Sequence, residues 1–184
     1  MTLFAYIKSD YKKYKKYGGN FFIIVFFTQG FWALFQYRIA SYLYRKISVK
    51  PLRMLTQLFL LPWQKTIEIM TGISIPASAQ IGKSFYIGHF GGIILNAKTI
   101  IGDNCNISQG VTIGISGLDE NRGVPVIGNN VYVGANAVLA GKISIGNDVL
   151  IGACSLVNKS FPDFSIIGGV PAKIISDKGS IGYI

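Results

Sequence analysis

The stretch FYIGHFGG, residues 85–92, contains the only histidine of the 184-residue chain. A neutral imidazole can take the proton of a hydroxyl group while that hydroxyl attacks an acyl carbonyl. Histidine suits this task because its charge changes near neutral pH. His89 is therefore a candidate general base, and the flanking glycines would let the backbone approach a bound substrate. The alternative is a turn histidine satisfied by neighbouring backbone groups, with no part in a reaction.

Other reactive side chains are few and poorly spaced. Cys105 and Cys154 form no CxxC pair, and a single histidine leaves a metal ion few ligands, so we expect no metal site. Two cysteines without a disulfide framework, together with a start that lacks a signal-peptide pattern, indicate a cytoplasmic protein.

The sequence around His89 repeats every six residues. After Thr71-Gly72, an aliphatic residue recurs at every sixth position and is usually followed by glycine. This period fits neither an α-helix nor a simple hairpin sheet. It is typical of a parallel β-helix, in which three hexapeptides make one triangular coil and the repeated aliphatic residues point inward. These residues are Ile75, Ile81, Ile87, Leu95, Ile101, Ile107, Ile113, Ile127, Val133, Leu139, Ile145, Ile151 and Val157.

Two interruptions of the repeat indicate where a site is expected, because loops on a rigid scaffold often carry function. The step after Ile87 is eight residues long and contains His89. The step after Ile113 is fourteen residues long and contains the polar stretch 114–126. This stretch must form a loop outside the coil.

The first 71 residues have a different composition and predict α-helices. Residues 1–53 carry ten Lys and Arg against one acidic residue, which accounts for +9 of the net charge of +10. Ser9 is a candidate N-cap of the first helix. Pro62 should bend or break the helix predicted over about residues 49–70.

Residues 20–46 are strongly apolar, and no charged residue lies between Tyr17 and Tyr37. Three interpretations stay open: a buried helix in a cap or oligomer interface, a helix lying on a membrane surface, and a span, which needs about 20 residues. The basic charge suits nucleic acid, an anionic membrane or simply a solvated helix face. We expect residues 1–53 to contact the inner face of the membrane, and we expect no nucleic-acid partner.

Residues 72–175 resemble the hexapeptide-repeat acyltransferases, and most closely their serine acetyltransferase branch. GHFGGIILNAKTIIGDNCNISQGVTIG matches the histidine-bearing coil of that branch, VYVGANAVLAGKISIGNDVLIGACSLV matches its following coils, and IGGVPAKII matches its ending. The resemblance implies a mainly β fold, a left-handed parallel β-helix over 72–175. An α-helical segment at 1–71 precedes it and a tail at 176–184 follows it. The resemblance also implies a homotrimer that binds acetyl-CoA between neighbouring coils.

The same resemblance gives roles to individual positions. The catalytic base falls on His89. The contacts to acetyl-CoA fall on Gly114, Gly134, Ala135, Ala153 and on Lys173 of the Pro171-Ala172-Lys173 ending. The positions that serve the acceptor fall on Ser74, Gly88, Gly123 and Val124, with Arg122 one place from the branch's arginine.

These acceptor positions depart from the pattern of the branch. Its histidine-orienting aspartate is Ser74 here, and the acid before its histidine is Gly88. Its Arg-His pair in the long loop falls on Gly123 and Val124. A free amino acid would find few charged partners, so we expect an acetyl-CoA-dependent O-acetyltransferase of a sugar or polysaccharide precursor, similar to capsular and exopolysaccharide enzymes. The alternatives are serine O-acetyltransferase of cysteine biosynthesis and a non-catalytic β-helix scaffold.

Overall fold

The structure is a computed structural model that describes residues 2–184, and its N-terminal part consists of four α-helices. The last helix ends one residue before the left-handed Gly72, and the first strand begins directly after that glycine. The helices are α1 (Leu3–Lys16), α2 (Phe21–Phe27), α3 (Gln29–Lys46) and α4 (Lys50–Thr71).

Two helix boundaries differ from the sequence predictions. At the start of α1, the Thr2 hydroxyl accepts a hydrogen bond from the Ala5 N–H (3.4 Å), so Thr2 is the N-cap. Ser9 lies inside the helix and donates to the Tyr6 carbonyl (2.7 Å), so the predicted Ser9 cap is wrong. α4 runs unbroken through Pro62, so of the predicted bend or break the break is wrong.

After Gly72 the chain forms short strands and one 3₁₀ turn at Asp119–Asn121. The strands are β1 (Ile73–Ser74), β2 (Gln80–Ile81), β3 (Tyr86–Ile87), β4 (Ile93–Leu95), β5 (Ile100–Ile101), β6 (Asn106–Ile107), β7 (Thr112–Gly114), β8 (Val126–Ile127), β9 (Tyr132–Val133), β10 (Val138–Ala140), β11 (Ser144–Ile145), β12 (Leu150–Ile151), β13 (Leu156–Val157), β14 (Ile166–Gly168) and β15 (Lys173–Ser176).

The strands build the three faces of a triangular prism. Sheet A contains β1, β4, β7, β10 and β13, sheet B contains β2, β5, β8 and β11, and sheet C contains β3, β6, β9, β12, β14 and β15. From β1 to β10 each strand pairs in parallel with the third strand after it, as predicted for three hexapeptides per coil. In-register pairs such as Ile87 with Ile107 stack the repeated aliphatic side chains into buried ladders. The predicted parallel β-helix is confirmed.

α1 and α3 are joined to the second face of the first coil by a buried ion pair. Arg38 Nε lies 2.7 Å from Asp10 Oδ2, and the two side chains are 4% and 2% exposed. The Arg38 guanidinium also donates to the carbonyls of Ile81 (2.7 Å) and Gly82 (2.6 Å). One charged group therefore ties two helices to the backbone of a strand.

Two buried tyrosine hydroxyls complete this attachment. Tyr14 OH accepts from the Ile87 N–H and donates to the Ile87 carbonyl, each at 3.1 Å. Tyr37 OH donates to the Ala79 carbonyl (2.8 Å) and accepts from the Ile81 N–H (3.1 Å). The helical segment is therefore packed on the β-helix through main-chain hydrogen bonds as well as apolar contacts.

Residues 20–46 divide into two helices with different surroundings. Nine residues of α3 are buried, so α3 is a buried helix of the cap. In α2 only Ile24 is buried, and most of the other side chains face solvent. Within residues 2–184 no single helix is long and apolar enough to cross a bilayer, and α2 with α3 pass that test only as a pair bent by 73°.

Two segments depart from the regular coil. The chain leaves the prism after β7 as the loop 115–125, which is closed by paired backbone hydrogen bonds between Ser116 and Gly123 (3.1 and 3.0 Å). The sequence predicted this loop. At the other end of the domain, β15 runs antiparallel to β14 and forms the last strand of sheet C.

Candidate active site

The turns that connect sheet C to sheet A stack along one edge of the prism. We call this the C–A edge; it comprises residues 88–92, 108–110, 134–136 and 152–154. Each turn donates one backbone N–H to a carbonyl of the preceding turn: Gly110 to Gly91 (2.9 Å), Asn136 to Gln109 (2.9 Å) and Cys154 to Ala135 (2.8 Å). Because these turns consist mainly of small residues, an extended ligand can lie along several coils at this edge.

His89 lies on the longest turn of the C–A edge, between β3 and β4, and its side chain is exposed. The two extra residues of the eight-residue step lengthen this turn, and Gly91 adopts a φ of 100°, which favours glycine. The Gly91 N–H donates to the Thr71 carbonyl (2.8 Å), which holds the turn against the end of α4. The fold therefore presents the imidazole to solvent on a fixed turn.

The predicted acetyl-CoA residues do not all lie on this edge. A Cβ at Gly134 would lie 2.6 Å from the Ala153 nitrogen, so neighbouring coils approach closely here. Gly114 lies elsewhere, at the end of β7 where the loop begins, and Lys173 is exposed on β15. Gly134, Ala135 and Ala153 share the C–A edge with His89. Lys173 lies beside the last turn of this edge, because it pairs with Gly168, which packs on Gly152.

The predicted loop residues lie on a different edge of the prism. Arg122 and Val124 line a cleft of about 560 Å³ together with Lys98 and Asp119. This cleft lies where sheet A meets sheet B, because the loop leaves the prism after the last residue of β7. One copy of the chain therefore does not bring Arg122 or Val124 together with His89.

Ser74 has a carboxylate partner that the sequence analysis missed. It lies on β1 beside Ile94 of β4, and its hydroxyl donates to Glu68 Oε1 (3.0 Å). Burial raises the pKa of Glu68, but hydrogen bonds from Lys65, Gln64 and Ser74 outweigh that effect and lower the pKa overall. An ionised carboxylate thus lies at the end of α4, next to the coil that carries His89. Its only sequence signal was an acidic residue shortly before the first strand.

Gly88 lies against a tyrosine that the sequence analysis also missed. A Cβ at Gly88 would lie 3.2 Å from Tyr86 Cε1 and 3.7 Å from its hydroxyl. The Tyr86 ring stacks on Tyr17 of the α1 C-cap at 4.4 Å between centroids. Burial, with a smaller effect of Tyr17, raises the pKa of Tyr86. Tyr86 therefore provides a neutral hydroxyl next to the His89 turn.

The described residues offer few side chains for cysteine or metal chemistry. Within residues 2–184 no group of three or more His, Cys, Asp or Glu residues is placed to hold a metal ion. Both cysteines are free, Cys105 in the core and Cys154 on the surface. Burial raises the pKa of the Cys105 thiol to about 11, so this thiol stays protonated at neutral pH.

Comparison with known proteins identifies relatives of the whole coil region. A family model described as bacterial transferase hexapeptide (six repeats) matches residues 125–159. Serine acetyltransferase of Synechococcus elongatus is 37% identical over 82% of this chain and 58% of its own length. The Staphylococcus epidermidis serine acetyltransferase is 35% identical over 82% of this chain and 67% of its own length. The chain thus spans between about half and two thirds of these relatives.

Solved structures extend the similarity to the helices. A serine acetyltransferase in complex with cysteine superposes with a TM-score of 0.82 at 28% identity, over 95% of this chain and 70% of that one. A serine acetyltransferase in complex with CoA gives 0.79 at 27% identity, over 94% and 69%. These matches confirm the predicted helices followed by a left-handed β-helix. The relatives are named for serine, so the saccharide acceptor expected from the sequence finds no support in them.

Proposed function

We propose that this chain is an acetyl-CoA-dependent O-acetyltransferase, because it belongs to the hexapeptide-repeat transferase family that includes the serine acetyltransferases. The observation that carries the proposal is the C–A edge. It places one accessible imidazole at the start of a row of closely stacked turns. A solved serine acetyltransferase in complex with CoA supports CoA as a ligand of this chain.

In the proposed reaction, His89 is the general base. It takes the proton of the acceptor hydroxyl while the hydroxyl oxygen attacks the thioester carbonyl of acetyl-CoA. The carbon–sulfur bond then breaks, the acetyl group stays on the acceptor oxygen, and the imidazolium returns its proton to the CoA thiolate. Backbone N–H groups of the glycine-rich turn 88–92 can stabilise the oxyanion. The remainder of CoA would lie along Ala135 and Ala153.

We propose serine as the acceptor, since the relatives are serine acetyltransferases. A serine zwitterion needs charged partners, and the carboxylate of Glu68 is one that the described chain offers near Ser74. The two positions just before His89 that the site uses, Gly88 and Tyr86, are uncharged, and Gly88 packs against the ring of Tyr86. Acceptor identity is therefore the part of the proposal that the first assay must decide.

We further propose a homotrimer, because the two halves of the predicted site lie on different edges of one chain. Sheets A and B also expose aliphatic side chains that point away from the core: Ile94 (54%), Ile100 (38%), Val126 (44%) and Val138 (36%). By contrast, the chain covers sheet C itself, where Asn106 and Leu150 are buried. Neighbouring copies would cover the aliphatic residues and bring the loop of one copy to the His89 of another.

The acetyl-transfer proposal is tested by following release of the CoA thiol from acetyl-CoA with serine and, separately, with neutral sugars. We expect turnover with serine, and a loss of about 10²–10⁴-fold in His89→Ala. Ile181→Ala, at an exposed position of the tail, is the control and should keep full activity. Turnover with sugars alone would remove serine as the acceptor. Undiminished transfer by His89→Ala would remove the general base.

The assembly is tested by sedimentation analysis of the full chain and of Ile94→Lys. We expect a trimer for the unaltered chain, and smaller species with lost activity for Ile94→Lys, because a lysine would be buried between copies. Ile181→Lys is the matched control. A fully active monomer would contradict the assembly.

A further inference from the structure

We infer that α1 and α2 form a docking surface for an anionic lipid bilayer. The surface, called here the basic–aromatic face, consists of exposed residues of the two helices that point away from the β-helix. They are Phe4, Lys8, Lys12, Lys15 and Lys16 of α1 and Phe21, Phe22, Ile23, Phe26 and Phe27 of α2. This inference is independent of the proposed acetyl transfer.

In the part of the chain that the structure describes, the four lysines of this face form no ion pair. Within residues 2–184 the ion pairs of lysine and arginine are Arg38–Asp10, Lys65–Glu68 and Lys83–Asp103, and none involves these lysines. The inward-facing Lys13 differs, since its ammonium is buried and donates to Asn104 Oδ1 (2.7 Å). Positions 8, 12, 15 and 16 recur at helical spacing, so the four positive charges share one side of α1. These four charges are therefore available to an anionic surface outside the protein.

α2 adds an apolar element to this charge. All seven residues of FFIIVFF are apolar, yet only Ile24 is buried. Phe22 and Phe27 are 69% and 71% exposed. Ile24 therefore attaches the helix to the protein, while the phenylalanines lie free on the outside. Aromatic and aliphatic side chains beside lysines are the composition of helices that lie in a membrane interface.

The charged and apolar parts of the face are adjacent. A groove of about 630 Å³ runs between the helices, and Phe4 and Lys8 of α1 line it together with Phe21 of α2. Trp63 and Ile67 of α4 form its far wall. The lysines can therefore meet headgroup phosphates while the phenylalanines of α2 enter the acyl region beside them.

Charge complementarity favours lipid over the other occupants. A second copy docking by this same face would oppose two sets of unpaired lysines. Nucleic acid would satisfy the lysines but would leave the phenylalanines of α2 against water and phosphate. An anionic bilayer satisfies both groups, because it offers negative headgroups directly above an apolar layer.

The test is co-sedimentation of the full chain with vesicles of phosphatidylcholine alone and of phosphatidylcholine and phosphatidylglycerol in equal parts. We expect binding to the anionic vesicles that weakens with salt. Lys12→Ser/Lys15→Ser should weaken it by about tenfold or more, given the attraction of each lysine to an anionic surface. Phe22→Ser/Phe26→Ser should also weaken binding to the anionic vesicles, and the binding of this variant should stay weak at low salt.

The controls remove two lysines or one apolar side chain at exposed positions outside the face, Lys98→Ser/Lys178→Ser and Ile181→Ser. They should bind like the unaltered chain, and thermal unfolding should show all variants folded. No binding to anionic vesicles, or equal binding by face variants and controls, would overturn the inference. So would binding of single-stranded RNA through these lysines without vesicle binding, or a change of oligomeric state in the Phe22→Ser/Phe26→Ser variant.

Discussion

Helix α1 has lysines on both of its faces, and their surroundings are opposite. On the inner face, Asp10, Lys13 and Tyr14 are buried, and each forms a hydrogen bond to another part of the chain. On the outer face, Lys8 and Lys12 are exposed and unpaired within residues 2–184. The hydrogen bonds of these inner polar groups therefore hold the helix on the β-helix, while the outer charges are free for a partner outside the chain.

The largest expected effect comes from breaking the inner ion pair. Arg38→Met would leave the buried Asp10 carboxylate without its counter-ion and two carbonyls without a donor. Burial already raises the pKa of Asp10 even with Arg38 beside it. We expect the free energy of unfolding to fall by about 3–5 kcal/mol, measured by urea unfolding. The double variant Asp10→Leu/Arg38→Met should recover much of this loss. If it is no more stable than Arg38→Met, the pair is not what makes the inner face sensitive.

A smaller loss of unfolding free energy is expected from removal of a neutral group on the inner face, the hydroxyl of Tyr14. Tyr14→Phe removes the hydroxyl that satisfies both the N–H and the carbonyl of Ile87. Leaving buried backbone groups unpaired should cost about 1–3 kcal/mol in unfolding free energy. Tyr11→Phe is the matched control on the same helix and should change little. Equal losses in the two variants would show that the Tyr14 hydrogen bonds are not specific stabilisers.

Lys13 should make the inner face sensitive to pH. Burial lowers the pKa of Lys13 from 10.5 to about 8. Between these two values the folded protein has released this proton while the unfolded chain still binds it, so stability rises with pH across that window. The unfolding free energy of the unaltered chain should therefore increase relative to Lys13→Met as pH rises from 8 toward 10.5. A pH-independent difference between the two proteins would contradict the lowered pKa.

The smallest effect is expected on the outer face. Lys8→Ser and Lys15→Ser remove exposed charges without ion pairs, so the unfolding free energy should change by no more than about 0.5 kcal/mol. Thermal unfolding checks this. Losses close to that of Tyr14→Phe would mean that the two faces of α1 are less different than their contacts indicate.

Much of the β-helix could be predicted because its information is repeated. Ile87, Ile107 and Val133 occupy the same position in successive coils, and they stack in register in sheet C. The two interruptions also predicted a site at His89 and a loop at 114–126, and the structure has His89 on an exposed turn and the loop at 115–125. The period of the repeat and the lengths of its interruptions are local features of the sequence, so they predict these elements without reference to contacts between distant residues.

The contacts of single residues could not be predicted in the same way. Asp10 and Arg38 are 28 positions apart on two helices, and no periodicity indicates that they meet. Glu68 and Tyr86 approach the candidate site only because α4 ends beside β1 and β3 ends beside Gly88. Gly114 was expected near acetyl-CoA from a matched stretch, but within one chain it lies at the base of the loop.

The reversed direction of β15 has a consequence for how these prisms can assemble. A stack of parallel coils that ended at β14 would offer open backbone groups to the first coil of another molecule, and such stacks could grow into filaments. β15 occupies that edge with the opposite polarity, and helices cover the other end. Continuation of sheet C by another parallel strand is therefore blocked beyond β14, so filaments that grow by this route are not expected.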